Sequence, residues 1–363
     1  MKKLLIVFLI LDFCVNHLLD DNIKNMIRKE VLRANHLTDH DATSIITFLE
    51  NNKKLKFLEI KFYRSYPIIL KCETEKNEEA LYYLFIDDEK WTECSKYEKG
   101  YETFKDNHPE NIIRMESPTK TPFLTNNYVA DSYVCGIEME YGVLSMDKIF
   151  TQTSDENKKV ANTAQMYQIV LGLLEGFDYI QYVTRNYHGI AHQDNWIIAK
   201  DEHNNLIPKI KDFNKLFQHP NIACRTDKNT AYYDTENNSD RFVRANKCNP
   251  GKLKFTLPNC PPELKNFWKK IVNSVAGLRG QDQTNYVRYR WNIDFKEEVY
   301  ALGFSIEQMI RSNKDELCET CDSMKTIHLV THWMTKSNIN ERCKLSEAIK
   351  KLQEETNHLE ILV

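Results

Sequence analysis

Two short stretches carry the side chains best suited to chemistry. The first is Tyr187-His188-Gly189-Ile190-Ala191-His192-Gln193-Asp194-Asn195-Trp196-Ile197-Ile198, and the second is Lys209-Ile210-Lys211-Asp212-Phe213-Asn214. The amide oxygen of Asn195 and the carboxylate of Asp212 are the hard oxygen donors that a divalent cation such as Mg²⁺ prefers. Asp194 is the group that would take a proton from a substrate. The isoleucine at position 190 can neither orient a hydroxyl nor accept its proton.

These residues need a frame. Trp196-Ile197-Ile198-Ala199 reads as a buried strand, Asp201 to Asn205 as a polar turn, and the following residues as a return strand into Asp212. That hairpin would bring Asn195 and Asp212 together at one end. Upstream, a helix from about Asn162 to Val183 shows Met166, Ile169, Val170, Leu173 and Phe177 along one side. Nearer the N-terminus the period changes. Leu55 to Phe62, Ile68 to Cys72 and Leu81 to Ile86 are β-like runs, followed by a helix from Trp91 to Phe104 and strands near Ile112–Met115 and Tyr133–Met139. Amphipathic helices are expected from Leu19 to Ala34 and from Thr38 onward.

The order of several short motifs resembles that of the protein kinases over roughly residues 55 to 353. His108-Pro109-Glu110-Asn111-Ile112 resembles the segment leading into the fourth kinase strand, and Glu98 stands where the helix-C glutamate would be. Met139-Glu140-Tyr141-Gly142 resembles the hinge, with Met139 in the gatekeeper position. Pro261-Pro262-Glu263 resembles the A-P-E end of the activation segment. Glu298-Val299-Tyr300-Ala301-Leu302-Gly303-Phe304 resembles the D-V-W-S-L-G helix, and Arg342 the late arginine that pairs with the A-P-E glutamate. Asp212-Phe213-Asn214 stands for D-F-G. The resemblance implies an α+β, bilobal fold with a small β-rich N-lobe and a larger helical C-lobe. The implied boundaries are a helical extension at 19–54, an N-lobe and hinge at 55–142, and a C-lobe at 143–363. It also implies nucleotide contacts at Glu98, Met139, Tyr141, Asn195 and Asp212, with Asn195 and Asp212 holding the metal.

The departures fall where phosphate chemistry takes place. No glycine precedes Gly100, so the glycine-rich loop is missing, and Tyr63-Arg64-Ser65-Tyr66-Pro67 stands in its place. The third strand carries no lysine; Leu84 or Phe85 takes that position, which leaves Glu98 without an evident partner. The catalytic loop admits two registers. Aligned on Asn195, His188 matches the family's histidine and Ile190 its aspartate; aligned on His192, Asp194 supplies the aspartate but the asparagine is lost. The buried strand at Trp196 favours the first. His188-Gly189 with His192 and Asn195 also resembles the loop of choline- and aminoglycoside-kinase-like phosphotransferases, again without its aspartate. The resemblance thus implies a pseudokinase that acts by binding a protein partner. No cofactor is required, and only weak binding of ATP and Mg²⁺ is expected. The alternative is a divergent active kinase using Asp194 or Asp212.

Composition agrees with a folded chain of one large or two ordinary domains: 363 residues, 42% hydrophobic and 28% charged. A formal net charge of −3 gives no case for nucleic acid as a partner. Lys2-Lys3 followed by the apolar run Leu4 to Leu11 has the pattern of a secretory signal peptide, expected over residues 1–18, with no membrane span after cleavage. Export would place the cysteines in oxidising surroundings. Cys318-Glu319-Thr320-Cys321 has the spacing of a redox or half-zinc motif, with structural pairing or packing the plainer reading. Asn237-Asn238-Ser239 is a glycosylation sequon in a polar stretch, and the segment Asn214 to Cys260 is a candidate recognition surface.

Overall fold

The computed structural model describes residues 19–33, 39–52, 55–62, 68–88, 93–122, 132–142, 144–145, 149–150, 153–189, 191–201, 205–213, 216–218, 240–243, 260–266, 287–290 and 294–359. The leader, the Tyr63–Pro67 turn, Ile190, the sequon and nearly all of the Asn214–Cys260 segment lie outside them. The chain divides into two compact units. The first comprises residues up to Asp106 with Ile113–Tyr141, and the second Asn107–Ile112 with Gly142–Val363.

The first unit is a five-stranded antiparallel sheet with helices. In chain order its elements are α1 (Asp21–Arg33), α2 (Asp39–Asn51), β1 (Leu55–Phe62), β2 (Ile68–Thr74), β3 (Glu79–Asp88), α3 (Glu93–Phe104), β4 (Thr119–Pro122) and β5 (Ser132–Glu140). The sheet order is β1-β2-β3-β5-β4. Alternation along the strands divides their side chains between two faces. Ile68, Leu70, Cys72, Ala80, Tyr82 and Leu84 join one apolar cluster with Ile23, Ile27, Ile45, Ile46 and Leu49 of the two leading helices. The helical extension is therefore part of this unit's core. On the other face Tyr83 and Phe85 meet Tyr97 of α3, with ring centroids 6.0 and 5.3 Å apart. Tyr82 reaches across to Gly136 on β5; a Cβ there would stand 1.8 Å from the tyrosine oxygen, so only glycine leaves room.

The expected strand at Ile112–Met115 is not formed. Ile112, Ile113 and Met115 are buried, but the segment makes only single bridges, Ile112 to Ile210 and Met115 to Met139, and the edge strand lies later at Thr119–Pro122. Its proline suits an edge, where a missing N–H costs no ladder bond.

The second unit is mainly helical. It contains β6 (Leu144–Ser145), α4 (Glu156–Asp178) running into a π-helical turn Tyr179–Val183, β7 (Asn186–Tyr187), a 3-10 turn Gln193–Asn195, β8 (Trp196–Lys200) and β9 (Leu206–Ile210). Further on are β10 (Phe217–Gln218), β11 (Asp240–Val243), β12 (Val287–Arg290), α5 (Lys296–Ser312), α6 (Asp322–Met334) and α7 (Leu345–Leu359). β6, β8 and β9 form one small sheet, β7 pairs with β10, and β11 with β12. Asp155 caps α4 by accepting from the N–H groups of Asn157 and Lys158, which starts the helix six residues ahead of the expected Asn162. Among the described residues no helix is long and apolar enough to cross a membrane.

Arg342 ties the end of this unit together. Its fully buried guanidinium makes a two-pronged pair with Glu263, at 2.6 and 2.7 Å. It also donates to the carbonyls of Lys336 and Lys296 and lies over the ring of Tyr300. This is the pairing that the motif resemblance implied for the two residues.

Two disulfides occur among the described residues. Cys94–Cys135 joins α3 to β5 across 41 positions, and Cys318–Cys321 closes a turn of three. Chain-entropy arithmetic gives the long loop about 4 kcal/mol of stabilisation and the short one about 2 kcal/mol.

Candidate functional site

The loop that holds the candidate residues is fixed by α5 and α4. Glu298, in the first turn of α5, is completely buried. One carboxyl oxygen accepts from the N–H of Gly189 at 2.8 Å and the other from the Gln181 amide at 3.0 Å. Burial pushes this carboxyl up to about 7, although the hydrogen bonds from Gln181, Gly189 and His188 act to lower it. Gly189 has φ 88°, a conformation open to glycine with little penalty. Seven residues beyond Glu298 on the same helix face, Ser305 donates to the carbonyl of Ala191 at 2.8 Å. The backbone on both sides of position 190 is thus pinned to one helix. Tyr187 adds a third tie, its hydroxyl donating to Glu297 at 3.1 Å.

His188 is the buried histidine of the loop, and its Nε2 donates to the carbonyl of Lys211 at 2.7 Å. The ring sits edge-on between Phe177 and Phe213, with centroids 5.5 Å from each. His192 is partly exposed. The N–H of Lys211 donates in turn to the carbonyl of Asn195 at 2.9 Å. Both main-chain groups of Lys211 are therefore held by the loop, and this fixes the next residue. Asp212 adopts φ 63°, a left-handed conformation that costs most side chains about 1 kcal/mol or more and that aspartate tolerates better than most.

The Asp212 carboxylate meets an ammonium from its own neighbour. Lys211 Nζ stands 2.6 Å from Asp212 Oδ2, and both side chains are less than a fifth exposed. The lysine supplies the positive charge that a cation would otherwise bring. A Mg²⁺ ion at this carboxylate would have to share it with that ammonium, which lies on Oδ2, or displace the ammonium from it. Asn195 is buried in the 3-10 turn beside it. Asp194 lies in that same turn, but its side chain, like Ile190, is outside the described residues. Among the described residues no group of three or more His, Cys, Asp or Glu side chains could hold a metal ion.

The remaining candidates lie in the first unit. Glu98 is not left without a partner: it pairs with Lys120 at 2.6 Å. That lysine stands on β4, opposite Cys135 of β5, and not on β3. Cys94 and Glu98, one turn apart on α3, thus attach the helix to adjoining places on β5 and β4. Of the two residues considered for the missing β3 lysine, Phe85 faces α3 through Tyr97, whereas Leu84 joins the cluster on the opposite face. Met139 is buried in β5, paired with Leu81. Tyr141 lies beneath the ammonium of Lys71, 4.9 Å from its ring centroid.

Sequence reasoning passed over Gln181, Glu297 and Lys120; Lys211 or Lys215 could be read from sequence as a substitute for the missing strand lysine, and Lys211 pairs instead with Asp212. One signal was available for the acids: Glu297 and Glu298 stand side by side just ahead of an apolar helical run, where two carboxylates need internal partners.

No protein-family model matches this chain, and no curated protein matches it either.

Proposed function

We propose that the chain is a secreted, bilobal, kinase-shaped protein without phosphotransfer activity, which acts by binding a protein partner. The observation that carries this reading is the Lys211–Asp212 pair. An ammonium already sits on the carboxylate through which a phosphotransferase would hold its metal, and competes there with a cation that would neutralise phosphate charge. Two further observations support it. Glu98 is committed to a lysine on another strand, and an aromatic ring stands where β3 would carry a cation. Meanwhile the loop's fixation by Glu298, Ser305 and His188 keeps its shape. Such retained architecture is what a binding role needs. The two disulfides support secretion.

A second reading is favoured by one observation, the left-handed backbone of Asp212, since strain of this kind gathers at working sites. In it, the chain is an active kinase using Asp194 or Asp212. Thermal melting of the purified chain with and without Mg-ATP separates the two. The binding-protein reading expects no stabilisation in the wild type and the appearance of a shift in Lys211→Met, where the carboxylate is released. Stabilisation of the wild type that Asp212→Ala abolishes, together with phosphate transfer lost in Asp194→Ala, would overturn it.

A further inference from the structure

The Cys318–Cys321 disulfide differs from Cys94–Cys135 in its access to solvent. Cys94 and Cys135 are both fully buried, whereas Cys318 and Cys321 are partly exposed. A disulfide exchanges only when a thiolate can approach a sulfur along the bond axis, so access sets the rate.

The chain around the exposed disulfide is held without it. The N–H of Cys318 donates to Thr163 Oγ1 of α4 at 2.8 Å, and the carbonyl of Glu316 accepts from the Asn162 amide at 3.1 Å. Thr163 is itself buried and anchored to the carbonyl of Lys159. On the other side, the Cys321 carbonyl accepts from Lys325 as α6 begins, and the Cys321 N–H closes the turn onto the Cys318 carbonyl. Opening the S–S bond therefore leaves both cysteines in place, as a reversible couple requires.

The two sulfurs are not equivalent. Cys321 is the N-cap of α6, with an extended backbone at φ −66° and ψ 143°, and its side chain makes no capping hydrogen bond while oxidised. A thiolate released there would face the unpaired N–H groups of the first helical turn, which lower a thiol's pKa and make it the better leaving group.

We propose that Cys318–Cys321 is a redox-active disulfide that exchanges with external thiols. A thiolate RS⁻ attacks Cys318 Sγ, the S–S bond breaks, and Cys321 Sγ departs as a thiolate. A second RS⁻ attacks the R-bearing sulfur of the mixed disulfide, releasing RSSR and the Cys318 thiolate. In sum, the disulfide and two RSH give two cysteine thiols and RSSR, a transfer of two electrons and two protons. The reductant is a low-molecular-weight thiol. The reverse reaction uses its disulfide.

The test uses the full oxidised chain under native conditions. Graded dithiothreitol is quenched by a maleimide, and labelled peptides are read by mass spectrometry. Cys318 and Cys321 should label at least ~100-fold faster than Cys94 and Cys135, because the buried pair reacts only through opening of its unit. The circular dichroism spectrum should be retained, and oxidised glutathione should restore the bond. In Cys321→Ser, oxidised glutathione should trap a mixed disulfide on Cys318 that a small thiol releases again. Labelling of all four cysteines together, labelling only in denaturant, or collapse of the fold on selective reduction would overturn the proposal.

Discussion

Replacing Glu298 by glutamine removes a charge from the centre of the second unit while keeping the side chain's shape. The carboxyl is fully buried and raised from its ordinary 4.5 to about 7 by loss of water. At 1.36 kcal/mol per pH unit, that rise amounts to roughly 3 kcal/mol of preference for the neutral form. Below pH 4.5 the group is protonated in both folded and unfolded chains and contributes nothing to the pH dependence. Between 4.5 and about 7 the folded chain keeps a proton that the unfolded chain has released, so stability falls as pH rises; above about 7 the full penalty applies. The Gln181 amide is ready for the neutral partner. Its oxygen is buried without a hydrogen bond, and half a turn of the amide would present it to a protonated Glu298 or to the new amide at position 298. Urea denaturation followed by circular dichroism, at pH 5 and pH 8, should therefore show wild type and Glu298→Gln close together in acid. The variant should gain about 3 kcal/mol relative to wild type at the higher pH. Parallel pH dependences, agreeing to within about 0.5 kcal/mol, would refute the assignment of this penalty to Glu298.

Other perturbations have equally definite outcomes. Arg342→Ala leaves Glu263 and several carbonyls without their donor and should cost about 3–5 kcal/mol by urea denaturation. Arg342→Lys should recover only part of this, since an ammonium cannot reproduce the two-pronged contact. Gly136→Ala drives a methyl group into the Tyr82 ring and should cost the first unit about 1–3 kcal/mol, read as a lowered melting temperature. Lys120→Ala removes an ion pair whose side chains are 35% and 43% exposed, so its effect on denaturation midpoints should stay below about 1 kcal/mol.

Much of the frame was legible because the pattern of apolar residues changes period at Leu55 and again at Ser145. β1, β2, β3 and β5 fall where alternating or continuous apolar runs stand between polar turns, and β8 and β9 where the hairpin into Asp212 was expected. The edge strand β4 was not legible. Thr119-Lys120-Thr121-Pro122 has no apolar alternation, because an edge strand with a wet face needs none. Ile112, Ile113 and Met115 misled for the converse reason: they are apolar because they are buried, not because they extend a ladder. In the site, His188 and Asn195 could be placed from the apolar run that follows them. The Glu98–Lys120 pair depends on a strand that hydrophobicity does not reveal, and the Lys211–Asp212 contact on a backbone angle that no local pattern encodes.

The cluster that joins α1 and α2 to the sheet has a consequence for how the chain is made. Its members run from Leu19 to Leu84, with Val134 beyond, so these two helices leave the ribosome before the sheet they pack on. At roughly 5–20 residues per second that interval is on the order of ten seconds, far longer than a helix needs to form. During it Ile23, Ile27, Ile45 and Leu49 have no completed sheet to rest on. Their apolar faces are exposed at the stage when nascent chains are most readily bound by chaperones. Substitutions there that shorten or soften the apolar stripe should improve the yield of early intermediates while weakening the finished unit, a conflict between synthesis and stability that is built into the topology.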